Sequence, residues 1–444
     1  MKNFRPISNL PFLGKTLEKV VSSQLQDHVK TYNLNDKYQS AYRPAHSTET
    51  AMLRITNDLL LEADDGNMGC LVLLDLSAAF DTIDHQILLQ RLSSRLHLSE
   101  SAVKWFSSYL DERYQSVTIA DATSDSFKLQ YGVPQGSVLG PLLFTLYTVE
   151  LGDIIKRHGL QYHIYADDTQ LYIAFSISDA ETFIQRVEAC IHDIDIWMVN
   201  NRLKQNGEKT EVLFTYKSGF TQKNVLRPLN ISGVSIQPAD HVRSLGVTLD
   251  SGLTLNRHIS TVCSAASLHI RNLGKIRHLL SQSVTEKLVH AFITARLDYC
   301  NSILYGLPKK VVKRLQLIQN TAARLVTRSK RDSHITPVLE SLHWLPVQER
   351  IIYKVLLLTY KAIHGSAPSY ISELISNYTP GRNLRSSTRN LLCQRSTRLL
   401  QYGGRSFSSA APKLWNQLPD YVRNAKSLDI FKRKLKTHLF SAAY

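Results

Sequence analysis

Two adjacent carboxylates, Asp167 and Asp168, sit in Tyr165-Ala166-Asp167-Asp168 between the strand-like segments 162–164 and 169–174. Neighbouring negative charges at the tip of an apolar hairpin are costly unless a cation neutralises them. A third carboxylate, Asp75, ends the apolar run Cys70-Leu71-Val72-Leu73-Leu74, a pattern of parallel or otherwise buried strands. Together the three would form a hard oxygen donor set suited to Mg(II), which keeps several waters and is completed by substrate phosphates. A pair of such ions about 3.5–4 Å apart stabilises the attacking and leaving oxygens of a nucleotidyl transfer. Each half alone is weak, since an Asp-Asp pair is also an ordinary solvated turn. The conjunction of both with the stretch Tyr131-Gly132-Val133-Pro134-Gln135-Gly136-Ser137, lying between them in sequence, strengthens the signal.

The elements that must position these residues follow from periodicity. Leu13, Leu17, Val20, Val21 and Leu25 recur at helical spacing, with Lys15, Glu18 and Lys19 on the other face. Ser47-Thr48-Glu49 caps a helix running to about Asp64, Asp84 caps one carrying Ile87, Leu88, Leu92 and Leu96, and Ser99 caps another through Tyr109. Asp81 and Asp84 suit capping and packing better than metal binding. Segments 115–120 and 126–131 alternate as strands, and Ser137 caps a long helix through about Lys156 with Pro141 in its first turns. An amphipathic helix spans 178–201, with Phe183, Val187, Ile191, Ile194, Trp197 and Met198 on its apolar side, and 209–216 reads as a strand. Further helices are expected near 256–280, 283–305 and 309–327.

Leu74-Asp75-Leu76-Ser77-Ala78-Ala79-Phe80-Asp81, Gly132-Val133-Pro134-Gln135-Gly136-Ser137, Tyr165-Ala166-Asp167-Asp168 and Asn206-Gly207-Glu208-Lys209-Thr210-Glu211 resemble successive motifs of reverse transcriptases, in family order. Their wording is similar to that of LINE-type, non-LTR retrotransposons. The opening Phe4-Arg5-Pro6-Ile7-Ser8 and the later Val242-Arg243-Ser244-Leu245-Gly246-Val247-Thr248-Leu249-Asp250 resemble the family's fingers entry and primer grip.

The resemblance implies an α+β, right-hand polymerase. Fingers would occupy 1–70, the palm 71–250, a helical thumb 251–331, and a basic, mostly α-helical extension 332–444. It implies Mg(II) held by Asp75, Asp167 and Asp168, and Lys209 as the general acid that protonates leaving pyrophosphate; a surface lysine is the alternative. Arg43 would contact the incoming triphosphate or template through its planar fork, rather than being a surface arginine. Phe80 would abut the sugar and exclude a 2′-hydroxyl, rather than being a core phenylalanine. Gln135 would hydrogen-bond template or nucleotide, and Gly136, with Gly132, would let the backbone approach it closely. Lys309, Lys310, Lys313 and Arg314 open a helix whose basic residues would track a template-primer duplex. The implied partners are an RNA template, a DNA primer and deoxynucleoside triphosphates, in a ribonucleoprotein with the element's own transcript.

The formal net charge of +16 is unevenly spread: residues 301–444 carry 24 Lys+Arg against 6 Asp+Glu, leaving the rest at −2. Such a segment attracts a polyanion by counterion release, although a basic solvated surface has the same composition. Trp415, Tyr421 and Phe431, interleaved with these charges, would either stack on RNA or pack a helical tail, and Lys432-Arg433-Lys434-Leu435-Lys436 fits a nuclear import signal. The five cysteines are widely separated, which argues against zinc knuckles and disulfides and suits a reducing compartment, so the nucleus and cytoplasm are expected. No uninterrupted apolar window of about 18 residues predicts a membrane span, and no secretory leader is expected. LINE-type elements carry an endonuclease ahead of these motifs, and its absence here raises a competing expectation: a truncated or co-opted nucleic-acid-binding remnant, folded but catalytically idle. A group II intron maturase is disfavoured by the wording around Asp75.

Overall fold

A computed structural model describes residues 7–77, 80–217, 219, 226–231, 233–379 and 390–444. The opening Phe4-Arg5-Pro6, Ala78 and Ala79 of the first motif, and the basic loop from Gly381 to Arg389 lie outside the described residues. At the centre is a four-stranded sheet of β1 (Met68–Leu74), β2 (Gln161–Tyr165), β3 (Asp168–Phe175) and β4 (Glu211–Thr215), ordered β4-β1-β3-β2. Every pairing is antiparallel, so β1 is a buried strand and not a parallel one. Its apolar run is continuous because both faces are covered.

On one face Cys70, Val72 and Leu74 join Leu171, Ile173 and Phe214 in a core with the Gly140–Tyr147 and Ala180–Asn200 helices. On the other, Leu71, Tyr172 and Leu213 meet Met52, Ile55 and Leu59 of the Thr48–Asp65 helix. Each fully buried side chain of this kind contributes roughly 1.5–3 kcal/mol. The second core does not stop at the sheet. It continues through Val289, Leu315 and Val326 into Trp344, Val347, Ile351, Tyr370 and Phe407, so residues beyond 331 share it with the sheet. The architecture is α+β, an antiparallel sheet with helices packed on both faces.

Several expected elements take a different form. The helix Phe12–Thr31 forms, yet Leu13, Leu17 and Val20 are exposed while Glu18 is buried. Glu18 accepts hydrogen bonds from Val138 N at 2.5 Å, Leu139 N at 3.3 Å and the Tyr109 hydroxyl at 3.2 Å. A carboxylate that satisfies free amides at a helix start decides which side faces inward, against the apolar periodicity. The long helix expected from 137 to 156 is two, Gly140–Tyr147 and Leu151–Arg157. Thr148 Oγ1 donates back to Phe144 O at 3.1 Å between them, a side-chain bond that competes with helix continuation. The strands expected at 115–120 and 126–131 are exposed two-residue pairings. The expected 283–305 helix divides into Gln282–Val289, a π-helical turn His290–Thr294 and Ala295–Asp298.

Trp415 and Phe431 are buried against Tyr360, which gives them the packing role and removes them from any stacking on RNA; Tyr421 is exposed. No described helix is long and apolar enough to cross a membrane.

Candidate active site

The ends of two neighbouring strands bring the carboxylates together. Leu74 of β1 faces Thr169 of β3, so the next residue outward on each strand is Asp75 and Asp168 respectively. The two line one cavity of about 410 Å³ with Gln170, Lys209, Glu211 and Arg243. Lys209 Nζ lies 2.8 Å from Asp75 Oδ2, and Asn206 N donates to Asp75 O at 2.9 Å, tying the 206–211 segment to the end of β1. Gln170 is buried and its Oε1 has no hydrogen-bond partner among the described residues.

Asp167 occupies the second position of the two-residue turn between β2 and β3 and does not line that cavity. It lies instead toward Tyr42, whose hydroxyl is pushed up by burial first and then by the Asp167 charge. Ala166, the first turn position, adopts φ 58°, an unusual conformation for alanine. Among the described residues, no group of three or more His, Cys, Asp or Glu side chains is placed to hold a metal ion. Two carboxylates facing one polar cavity do fit a hard divalent cation, because Mg(II) takes one or two carboxylates and leaves its other positions to water and phosphate.

The remaining expected residues are spread around this centre. Arg43 Nη1 donates to Asp36 O at 2.6 Å and Gln39 O at 2.8 Å, bracing its own loop, and burial lowers its pKa from the ordinary value. Phe80 stacks on Phe144 with centroids 4.8 Å apart and packs against the first core. Gln135 Nε2 lies 3.3 Å from both oxygens of Asp81, and Gly136 takes φ 97°. Gly132 is required sterically: a Cβ would come within 2.8 Å of Asp81 O, at a φ of 87°. Lys309, Lys310 and Lys313 are exposed on the Lys309–Thr327 helix, and Arg314 Nη2 donates to Ser260 Oγ at 2.8 Å. None of these four lines the carboxylate cavity or the groove beside it.

That adjoining groove, about 670 Å³, shares Glu211 and Arg243 with the carboxylate cavity. Its cations come from separate elements: Arg243 from the hairpin strand His241–Ser244, Arg257 from the first turn of Asn256–Ile276, and Arg296 from Ala295–Asp298. Gly246 and Tyr299 complete its wall, and Tyr299 OH donates to Leu245 O at 2.7 Å. Sequence inspection assigned no role to Glu211, Arg257 or Arg296. Glu211 had a usable signal, standing first in β4 two residues after Lys209, whereas the arginines are isolated in sequence.

A sequence profile described as "Reverse transcriptase (RNA-dependent DNA polymerase)" matches residues 1–249. The chain is similar to the "Probable RNA-directed DNA polymerase from transposon BS" of Drosophila melanogaster, 27% identical over 79% of this chain and 39% of that protein. It is similar too to the "RNA-directed DNA polymerase from mobile element jockey" of Drosophila funebris, 26% identical over 73% of this chain and 36% of that protein. It therefore spans about two fifths or less of the length of these relatives. Among solved structures, apo telomerase from Candida tropicalis aligns at 14% identity over 79% of this chain and 59% of that chain, with a TM-score of 0.41.

Proposed function

Because this chain belongs to the reverse transcriptase (RNA-dependent DNA polymerase) family, we propose that it extends a DNA primer along an RNA template, using deoxynucleoside triphosphates. The observation that carries this reading is the pairing of Asp75 with Asp168 in one cavity that opens onto a cation-lined groove. In this reading the sheet is the palm, the helices from 256 to 327 are the thumb, and the groove takes the duplex.

Asp75 and Asp168 would hold a divalent cation, Mg(II) in our reading, with Asp167 in the adjoining turn and Glu211 in the cavity wall as further carboxylates. Such an ion, when bound, neutralises charge on the attacking and leaving oxygens. Lys209 holds a proton donor at the same carboxylate and serves as the general acid toward pyrophosphate. Arg243, Arg257 and Arg296 bind phosphates of the primer-template, while Phe80 and Gln135 shape the nucleotide side, and Arg43 keeps the loop beneath the Asp turn in form. Most of the rate would come from alignment and fixed charge.

Primer extension on poly(A) RNA with oligo(dT) and Mg(II) tests the proposal, with Asp167→Asn and Asp168→Asn run beside the intact chain. Product from the intact chain that is lost in Asp168→Asn is the expected result. Absence of product from a folded, RNA-binding chain overturns it.

A further inference from the structure

One side chain from beyond residue 331 reaches the underside of the hairpin that carries the Asp pair. Tyr370 is fully buried and packs edge-on against His163 of β2, with ring centroids 4.9 Å apart at 88°. Its hydroxyl lies 2.8 Å from Ser40 Oγ and 2.9 Å from Thr50 Oγ1, and Ser40 Oγ lies 2.7 Å from His163 Nε2. Each hydroxyl of this row can donate or accept, and one assignment of its protons serves every member. Thr50 Oγ1 donates to Ser47 O at 2.9 Å, so it accepts from Tyr370. Tyr370 then accepts from Ser40, and Ser40 accepts from His163 Nε2–H. His163 Nδ1 has no partner among the described residues and in that assignment is a bare acceptor rather than a stranded N–H. Burial also lowers the imidazole pKa to about 3, keeping the ring neutral as this row requires.

Residues 38–41 carry the row to the reacting end of the hairpin. Ile164 N donates to Tyr38 O and Ser40 N to Ile164 O, both at 2.9 Å, so this segment is fastened along β2. Buried Gln39 accepts through Oε1 from Ala41 N at 2.9 Å and from Ala166 N at 3.2 Å. Ala166 is the left-handed residue immediately before Asp167. An unfavourable backbone conformation persists where the surroundings over-determine it.

We propose that Tyr370 is a positioning residue for nucleotidyl transfer: through Ser40, His163 and Gln39, the segment beyond residue 331 fixes the turn that carries Asp167 and Asp168. The kinetic consequence rests on the polymerase reading; the positioning itself does not.

Tyr370→Phe removes only the hydroxyl, and Ser40→Ala cuts the same row from its other side. Each full-length variant is expected to lower kcat for primer extension by about tenfold, as befits loss of a buried hydrogen-bond partner, and to leave the nucleotide KM within about twofold. The double variant should be no slower than the slower single one, because both interrupt one row. Amide exchange at Ile164 and Ala166 should quicken by about tenfold in either variant, a readout that needs no activity. Unchanged kcat with unchanged exchange overturns the inference, as does a rise in KM at constant kcat. Should the intact chain make no product, the polymerase reading fails and exchange alone decides: unchanged protection at Ile164 and Ala166 overturns the positioning role, and faster exchange upholds it.

Discussion

The carboxylate end of the cleft and the groove beside it are built in opposite ways. At the carboxylate end the charges stand at the termini of two hydrogen-bonded strands, and the sheet register alone brings Asp75 and Asp168 alongside. In the groove, Arg243, Arg257 and Arg296 come from a hairpin and two helical segments that share no hydrogen-bonded ladder. Under the proposed function, the charges that must meet a reacting atom sit on the hydrogen-bonded sheet. Those that would grip a repeating polyanion are gathered from several elements, where small displacements matter less.

This contrast predicts that variants at one end change rate and variants in the other change affinity. Asp75→Asn and Asp168→Asn should each lower kcat by on the order of a thousandfold or more, with primer-template Kd unchanged in a filter-binding or anisotropy titration. Loss of affinity in step with kcat would break the contrast. Lys209→Ala should lower kcat by about a hundredfold, and the loss should shrink when the leaving group is made a better one. Arg243→Ala or Arg296→Ala should weaken primer-template binding by about tenfold at low salt and reduce the slope of log Kd against log salt by about one. Replacing Lys309, Lys310 and Lys313 together by Ala should cost less than either of those single changes, because the three side chains are exposed and none lines the groove. A larger loss from the triple variant would move the duplex onto the outer face of that helix.

Acidification gives a smaller effect that belongs to the carboxylate end. Folded His163 stays neutral down to about pH 3, whereas the unfolded chain takes up that proton near 6.5. Between those values unfolding binds a proton, so stability falls as pH falls. The thermal midpoint of the intact chain should drop between pH 7 and pH 5 by more than that of His163→Gln.

The hairpin and the β1 strand were legible in the sequence because local rules govern them. A continuous apolar run needs cover on both faces, and a two-residue turn between β-prone segments has few alternatives. The cap at Ser47 and the helices Asn256–Ile276 and Lys309–Thr327 followed from equally local signals, whereas the one expected at 283–305 is broken by a π-helical turn. What was not legible depended on partners distant in the chain. The inward side of the first helix is set by Glu18 and amides 120 and 121 positions away, against its own apolar spacing. Whether Trp415 and Phe431 stack on RNA or pack a helical tail is decided only by Tyr360, more than 50 residues away in sequence and buried in the same cluster. Lys309, Lys310, Lys313 and Arg314 share one face of their helix through three- and four-residue spacing, and none of them lines the groove. The groove arginines become a set only when three elements are assembled.

The core shared between the sheet and residues beyond 331 also constrains how the protein is made. Asp64, at the end of the Thr48–Asp65 helix, accepts hydrogen bonds from Arg398 N and Leu399 N, which lie 334 and 335 residues later in the chain. At a ribosomal pace of about 5–20 residues per second, this helix emerges some tens of seconds before its cover has been synthesised. During that interval its buried side is open to any nascent-chain chaperone.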